Sequence, residues 1–308
     1  MANQRPKHGP DIPSQARLRE ALTLIGREIE GQPLRSSSLA RIMRETFRGS
    51  DAAGAWDWRM AYDMMQAAAV MQVVKGTGQD TFAIAGRLAS RLLTESRRSE
   101  QQIRLQQFSS PLAYAALAVR AAAIRPGETV LEPSAGTGAL AAFAARSGGK
   151  PMLNEIDPFR RGLLEAVFRT EATGFDAEHI DDLLTVPELP GVIVMNPPFA
   201  SSVDRSRDKH IAAKHLIGAA KRLAPGGRLV AIMPMGFTPE RDAAHWARAS
   251  AIAKPRLALT IPGHAYARLG TTVETQLMVF DKVQEDVEIV RAAVDDLDAA
   301  RGHCQVVL

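Results

Sequence analysis

Val130-Leu131-Glu132-Pro133-Ser134-Ala135-Gly136-Thr137-Gly138 is a short apolar strand running into a glycine turn, with an alanine-rich helical stretch opening behind it at Ala139. Gly136 and Gly138 lack a Cβ, so the backbone can turn sharply there and a ligand can approach the carboxyl edge of a sheet. A cofactor site is the natural reading. Gly136-x-Gly138-x-x-Ala141 also fits a dinucleotide fingerprint, and a glycine turn without any ligand stays open at this point.

Outward from this turn, short β-branched runs alternate with helical stretches from about Phe108 on, the texture of a parallel sheet with crossover helices. Expected strands are Thr129–Glu132, Pro151–Glu155, His179–Leu183, Gly191–Met195, Arg228–Met233, Leu257–Ile261 and Thr275–Phe280, the last two forming an antiparallel hairpin. Upstream, residues 15–104 read as a small all-helical domain: Leu18, Leu22 and Ile25 recur at helical spacing, and Met60 to Val74 is a second periodic run. Trp56, Trp58, Met64, Met65 and Met71 are expected in its core. Residues 1–14 are polar, broken by prolines and expected to be a disordered tail, and residues 283–308 are expected to be a C-terminal extension.

The chain has 308 residues, 46% hydrophobic and 23% charged, which excludes a mainly disordered polypeptide. No run approaches the roughly 18 apolar residues of a membrane helix, so no membrane partner is expected and the chain reads as cytoplasmic. Cys304 alone excludes an internal disulfide and a cysteine-rich zinc site. The net charge of +4 is uneven: residues 1–106 hold 16 Lys+Arg against 11 Asp+Glu, a net +5, and the rest hold 22 against 23, a net −1. A basic helical third points to a polyanion as one candidate partner.

Glu155 closes the second expected strand, where a carboxylate can accept hydrogen bonds from both hydroxyls of a ribose. Asp181-Asp182-Leu183 ends the third; adjacent strand residues face opposite sides, and Asp182 is the preferred acceptor for an adenine amine. Val192-Ile193-Val194-Met195-Asn196-Pro197-Pro198-Phe199 ends the fourth. Two prolines cannot continue a ladder, and they fix a rigid turn with carbonyls free to face a ligand. An amine conjugated to an aromatic ring is a poor nucleophile. Acceptors around its two N–H groups, here the Asn196 side-chain oxygen and the Pro197 carbonyl, draw it towards tetrahedral geometry, and Phe199 offers a face for stacking.

In this order and on these strand ends, Glu132 to Gly138, Glu155, Asp182 and Asn196 to Phe199 resemble the S-adenosylmethionine-dependent amino-methyltransferases, above all the N6-adenine DNA methyltransferases. Gln107-Phe108-Ser109-Ser110-Pro111 matches their cofactor-closing motif, and the local texture is similar to the methylase portion of phage and plasmid helicase-methylase proteins, without their helicase signature. The resemblance spans about residues 100–282 and implies a Rossmann-like seven-stranded α/β methyltransferase sheet over 105–282. It implies S-adenosylmethionine as cofactor, with Ser110 and Pro111 at the methionine end, Gly136 and Gly138 at its carboxylate, Glu155 at the ribose and Asp182 at the adenine. Phe108, Glu132, Ser134, Ala135, Ile156, Leu183 and Asn196 are further implied cofactor contacts. The expected activity is methyl transfer to the N6 amine of adenine in DNA, with Asn196, Pro197, Pro198 and Phe199 catalytic.

The family's recognition domain after the catalytic fold has no counterpart in the 26 residues after Lys282, so target recognition is expected from the basic helices, from Arg205, Arg207 and Lys209, or from a partner such as a helicase or recognition subunit. His210 and His215 are not spaced with carboxylates as a metal site, and surface or packing roles are expected for them, with no metal. The competing readings are methylation of an RNA base amine or of a protein glutamine amide, and a non-catalytic cofactor-binding subunit that holds nucleic acid. A nicotinamide dehydrogenase leaves Asn196 to Phe199 without a role.

Overall fold

The computed structural model describes residues 12–76, 78, 80–96, 109–199, 208–285, 288–294 and 296–305. Helix α1 (Gln15–Gly31) starts at Ser14, whose hydroxyl accepts from the Arg17 N–H, and buries Leu18, Leu22, Ile25 and Ile29 along one stripe. Helix α2 (Ser36–Phe47) buries Leu39, Ile42 and Met43. Helix α3 (Trp58–Lys75), capped by Asp57, is buried on all sides from Met60 to Val73, which marks it as a central helix, not a surface one. It lies between α1 and two helices of the sheet, α6 (Ala139–Arg146) and α7 (Pro158–Phe168). Helix α4 (Thr81–Arg91) packs on α5 (Leu112–Ala121). One continuous apolar core therefore runs from Leu18, Met43 and Met64 through Leu140, Phe143 and Leu163 to the strands.

The sheet has the order β2-β1-β3-β4-β6-β5-β7. Strands β1 (Thr129–Glu132), β2 (Lys150–Leu153), β3 (Val192–Met195) and β4 (Arg228–Pro234) are parallel. Strand β6 (Thr275–Asp281) inserts antiparallel between β4 and β5 (Lys254–Ile261), and β7 (Val290–Ala293) joins β5 in parallel. The α/β sheet of seven strands with its closing antiparallel pair is as the sequence implies. Residues beyond Lys282 add both β7 and helix α11 (Leu297–Gln305), which packs on α5.

One expected strand is not a strand. His179 to Leu183 is helical: Ala177–His179 forms a 3₁₀ turn and Ile180–Leu183 a single helical turn, α8. Ile180 and Leu184, four residues apart, are the buried pair, which is a helical period and not the alternation a strand needs. The edge beside β2 is taken instead by Thr173, in an isolated parallel bridge to Asn154.

The strand order reverses between the parallel neighbours β1 and β3, from which the chain steps outward to β2 on one side and to β4 on the other. In an open α/β sheet the crevice at the carboxyl ends of such a pair is where ligands bind. Glu132, the glycine turn and Asn196 all sit there.

Candidate active site at the carboxyl edge of the sheet

Glu132, last residue of β1, is buried, and its carboxylate accepts the Ala141 N–H at 2.8 Å. It thereby meets a backbone donor in the first turn of α6 and anchors the turn to the helix. Burial raises its pKa well above the usual carboxylate range; the Ala141 hydrogen bond opposes this and the nearby Glu155 charge adds to it.

The two glycines of the turn have different reasons. At Gly136, φ is +55° and a Cβ would meet no atom within 4 Å, so the backbone faces open space. At Gly138, φ is +89° and a Cβ would lie 2.7 Å from Phe168 and 2.8 Å from Leu164, both on α7. Gly138→Ala therefore combines overpacking with a left-handed backbone and is expected to cost about 2–3 kcal/mol in chemical denaturation. Gly136→Ala is expected to cost about 1 kcal/mol, because strain alone remains. Equal losses for the two variants would contradict this division.

Glu155, just beyond β2, is buried with both oxygens engaged: Oε2 accepts from Gly136 N at 2.7 Å and Oε1 from Asp157 N at 2.8 Å. A carboxylate has about four acceptor positions, so lone pairs remain for hydroxyl donors. Burial raises the Glu155 pKa, against the lowering by the Arg160 charge and the two backbone donors. Ile156 beside it is 41% exposed, an apolar surface next to the acid. Asn154 fixes this edge: its amide donates to the Pro133 and Phe175 carbonyls, while its oxygen accepts from the Thr173 hydroxyl and Phe175 N–H.

Asp182 does not close a strand beside Glu155. It is exposed on α8, as is Leu183, and neither is brought to the glycine turn by a strand end. Asp176 stands where the third acid was expected, directly after Phe175, which Asn154 ties to the carbonyl of Pro133. One bridged residue carries no sequence signature of a strand, and that concealed it.

Asn196 follows β3, and its side-chain amide donates to Ser110 Oγ at 3.0 Å. Ser110 and the half-buried Pro111 lead into α5, with Pro111 at its cap, so the segment before α5 meets the strand-end asparagine. Pro197 and Phe199 are buried and Pro198 half-buried. Ser134 and the buried Ala135 complete the turn opposite. Phe108, Arg205 and Arg207 lie outside the described residues, while Lys209 is exposed.

Helix α3 supplies residues that sequence reading did not single out. Gln66 Oε1 accepts from Thr137 Oγ1 at 3.1 Å and from Ser109 Oγ at 2.5 Å, and its Nε2 donates to Glu95. Asp63 accepts from Arg160 Nε and Nη2 at 3.2 and 3.0 Å, and Arg59 pairs with Asp157 at 3.1 Å. Burial would lower the Arg160 pKa, but the charges of Asp63, Glu155 and Asp157 hold it above its usual value. Arg59, Asp63 and Gln66 recur at spacings of four and three within an apolar helix, a signal that a buried polar stripe has partners elsewhere.

His215, in α9 (Ile211–Arg222), is buried, with Nδ1 3.4 Å from Ser134 Oγ. Burial pushes its pKa down to about 4, so it is neutral at pH 7. The unfolded chain takes up a proton near the ordinary value of about 6.5, while the folded chain resists until about 4, so His215 destabilises the fold as pH falls through that window. His215→Asn should gain about 3 kcal/mol on wild type between about pH 7.5 and about pH 4 in denaturant melts. A pH-independent difference would refute the assignment.

No protein-family model matches the chain, and no curated protein matches its sequence. Solved structures do match its fold. A Listeria monocytogenes protein provisionally described as a class I S-adenosylmethionine-dependent methyltransferase aligns at 12% identity and a TM-score of 0.53, over 95% of this chain and 97% of that one. A modification subunit of a provisionally assigned type I restriction enzyme from Vibrio vulnificus YJ016 aligns at 13% identity and 0.51, over 93% and 85%. A chain from a type I restriction-modification assembly aligns at 15% identity and 0.54, over 92% and 72%. At these identities the shared property is the fold.

Proposed function

We propose that this chain transfers a methyl group from S-adenosylmethionine to the exocyclic N6 amine of adenine in DNA. The observation that carries the reading is Asn196-Pro197-Pro198-Phe199 at the end of β3, with Asn196 hydrogen-bonded to Ser110 across the crevice from the glycine turn. The likeness to a modification subunit of one type I enzyme and to a chain of a type I restriction-modification assembly supports DNA as substrate and a partner subunit for target recognition.

The residues fit the cofactor, on an observation of this fold: the open space at Gly136, which a Cβ would enter, adjoins Glu155. Gly136 and Ser134 would hold its methionine end with Ser110 and Pro111, Glu155 its ribose, and Ile156 the apolar face of its base; Asp176 replaces Asp182 as the acceptor for the base amine. The cofactor would supply an electrophilic methyl on sulfur. The Asn196 oxygen and Pro197 carbonyl accept the two N–H groups of the target amine and localise its lone pair for attack. The methylated nitrogen then loses one proton to water. A base in duplex DNA must be flipped out first, at a few kcal/mol.

The helical third presents Arg35, Arg44 and Arg48 outward, all exposed, while Arg41 pairs with Glu28 and Glu45 and Arg59 is turned inward to Asp157. Phosphate contact through that outer face would be salt-sensitive and poor in sequence information. Among the described residues no helix is long and apolar enough to cross a membrane. Incubation of the purified chain with radiolabelled cofactor and DNA, RNA or protein tests the proposal: label in DNA as N6-methyladenine supports it, and label confined to RNA or protein overturns it.

A further inference from the structure

We infer that His210, Asp242 and His245 form a binding site for a zinc-type divalent metal ion, on grounds independent of the methyl-transfer reading. His210 caps α9, and Asp242 caps the neighbouring helix α10 (Ala243–Ile252), which carries His245 in its first turn. His210 Nδ1 lies 3.1 Å from Asp242 Oδ2, and His245 Nδ1 lies 2.8 Å from Asp242 Oδ1. The two imidazole rings stack at 4.6 Å with planes 23° apart, so both Nδ1 atoms address one carboxylate.

The behaviour of Asp242 separates this cluster from an ordinary cap. Asp57, Asp80 and Asp157 each accept backbone N–H groups of the helix they begin. Asp242 makes no such bond, and its two oxygens are turned to the histidines. Lys209 and Arg241, the cations adjacent in sequence, are exposed, and Lys214 is engaged with Asp208 and Glu178.

Two imidazoles and a carboxylate are a zinc ligand set. Around a tetrahedral zinc with bonds of about 2.0–2.1 Å, neighbouring donors lie about 3.3 Å apart, close to the two nitrogen–oxygen separations here. On binding, each imidazole offers its Nδ1 lone pair to the ion, any proton on that nitrogen passing to Nε2 or to water. The His210 side chain is 33% exposed, which leaves room for water as a fourth ligand. Such an ion would join the starts of α9 and α10. Sequence spacing hid the set, because the carboxylate lies 32 residues beyond His210.

Cobalt(II) added to chelator-treated full-length protein is the test. One equivalent should give the d–d absorption of a four-coordinate ion, displaced by zinc, and zinc should raise Tm. His245→Ala and the shape-conserving Asp242→Asn should lose the absorption while keeping a wild-type circular dichroism spectrum in metal-free buffer. His179→Ala, which disrupts the separate Asp176, Glu178 and His179 group, should keep it. Absence of the absorption in wild type, its survival in Asp242→Asn, or its loss in His179→Ala overturns the site.

Discussion

Asn196→Ala should lower the methyl-transfer rate by about 10³-fold, while cofactor affinity stays within about tenfold of wild type. In the proposed reaction the side chain of Asn196 is the acceptor for the target amine, and removing a single oriented hydrogen-bonding group at a reacting centre typically costs 10²–10³ in kcat. Its amide also meets Ser110, so a modest change in cofactor binding is expected with the large change in rate. Single-turnover kinetics separate the two, and calorimetry with S-adenosylhomocysteine measures the binding. A loss confined to affinity would reassign Asn196 from acceptor to cofactor contact.

Asp63→Ala is the largest expected stability effect, about 4 kcal/mol, although Asp63 lies outside the sheet. The Asp63 and Arg160 side chains are only 3% and 12% exposed, and removing one partner leaves a buried guanidinium without its main counter-ion. Glu155 and Asp157 are the charges that remain beside it, so the strand-end acid is drawn into the defect. Asp63→Ala with Arg160→Met should recover a large part of the loss, because neither charge is then stranded. Denaturant melts of the single and double variants measure this. Additive losses in the double variant would show that the pair is not coupled.

What was legible in the sequence follows from how each element is buried. Strands β1, β3 and β4 are short apolar runs buried almost throughout, and such runs between turn signals show directly in the residues. His179 to Leu183 combines a leucine and an isoleucine with two aspartates, so length and composition did not separate strand from helix; the burial of Ile180 with Leu184 did. Strand β7, half-exposed at the outer edge, has a weak signature for the opposite reason. In the site, Glu155 and Asn196 were readable because a strand end places them whatever else the chain does. Asp176, Gln66 and Asp242 were not, since each takes its meaning from partners brought in by tertiary contacts.

Helix α3 has a consequence for synthesis. On the sheet side it packs on α6 and α7, and it ends at Lys75 whereas α7 ends at Phe168. A ribosome adding about 5–20 residues per second needs about 5–20 s to make the 93 residues between those points. For an interval of that length this helix, buried from Met60 to Val73 in the finished fold, lacks its cover, so slower elongation between residues 75 and 168 lengthens the time available for aggregation or chaperone capture.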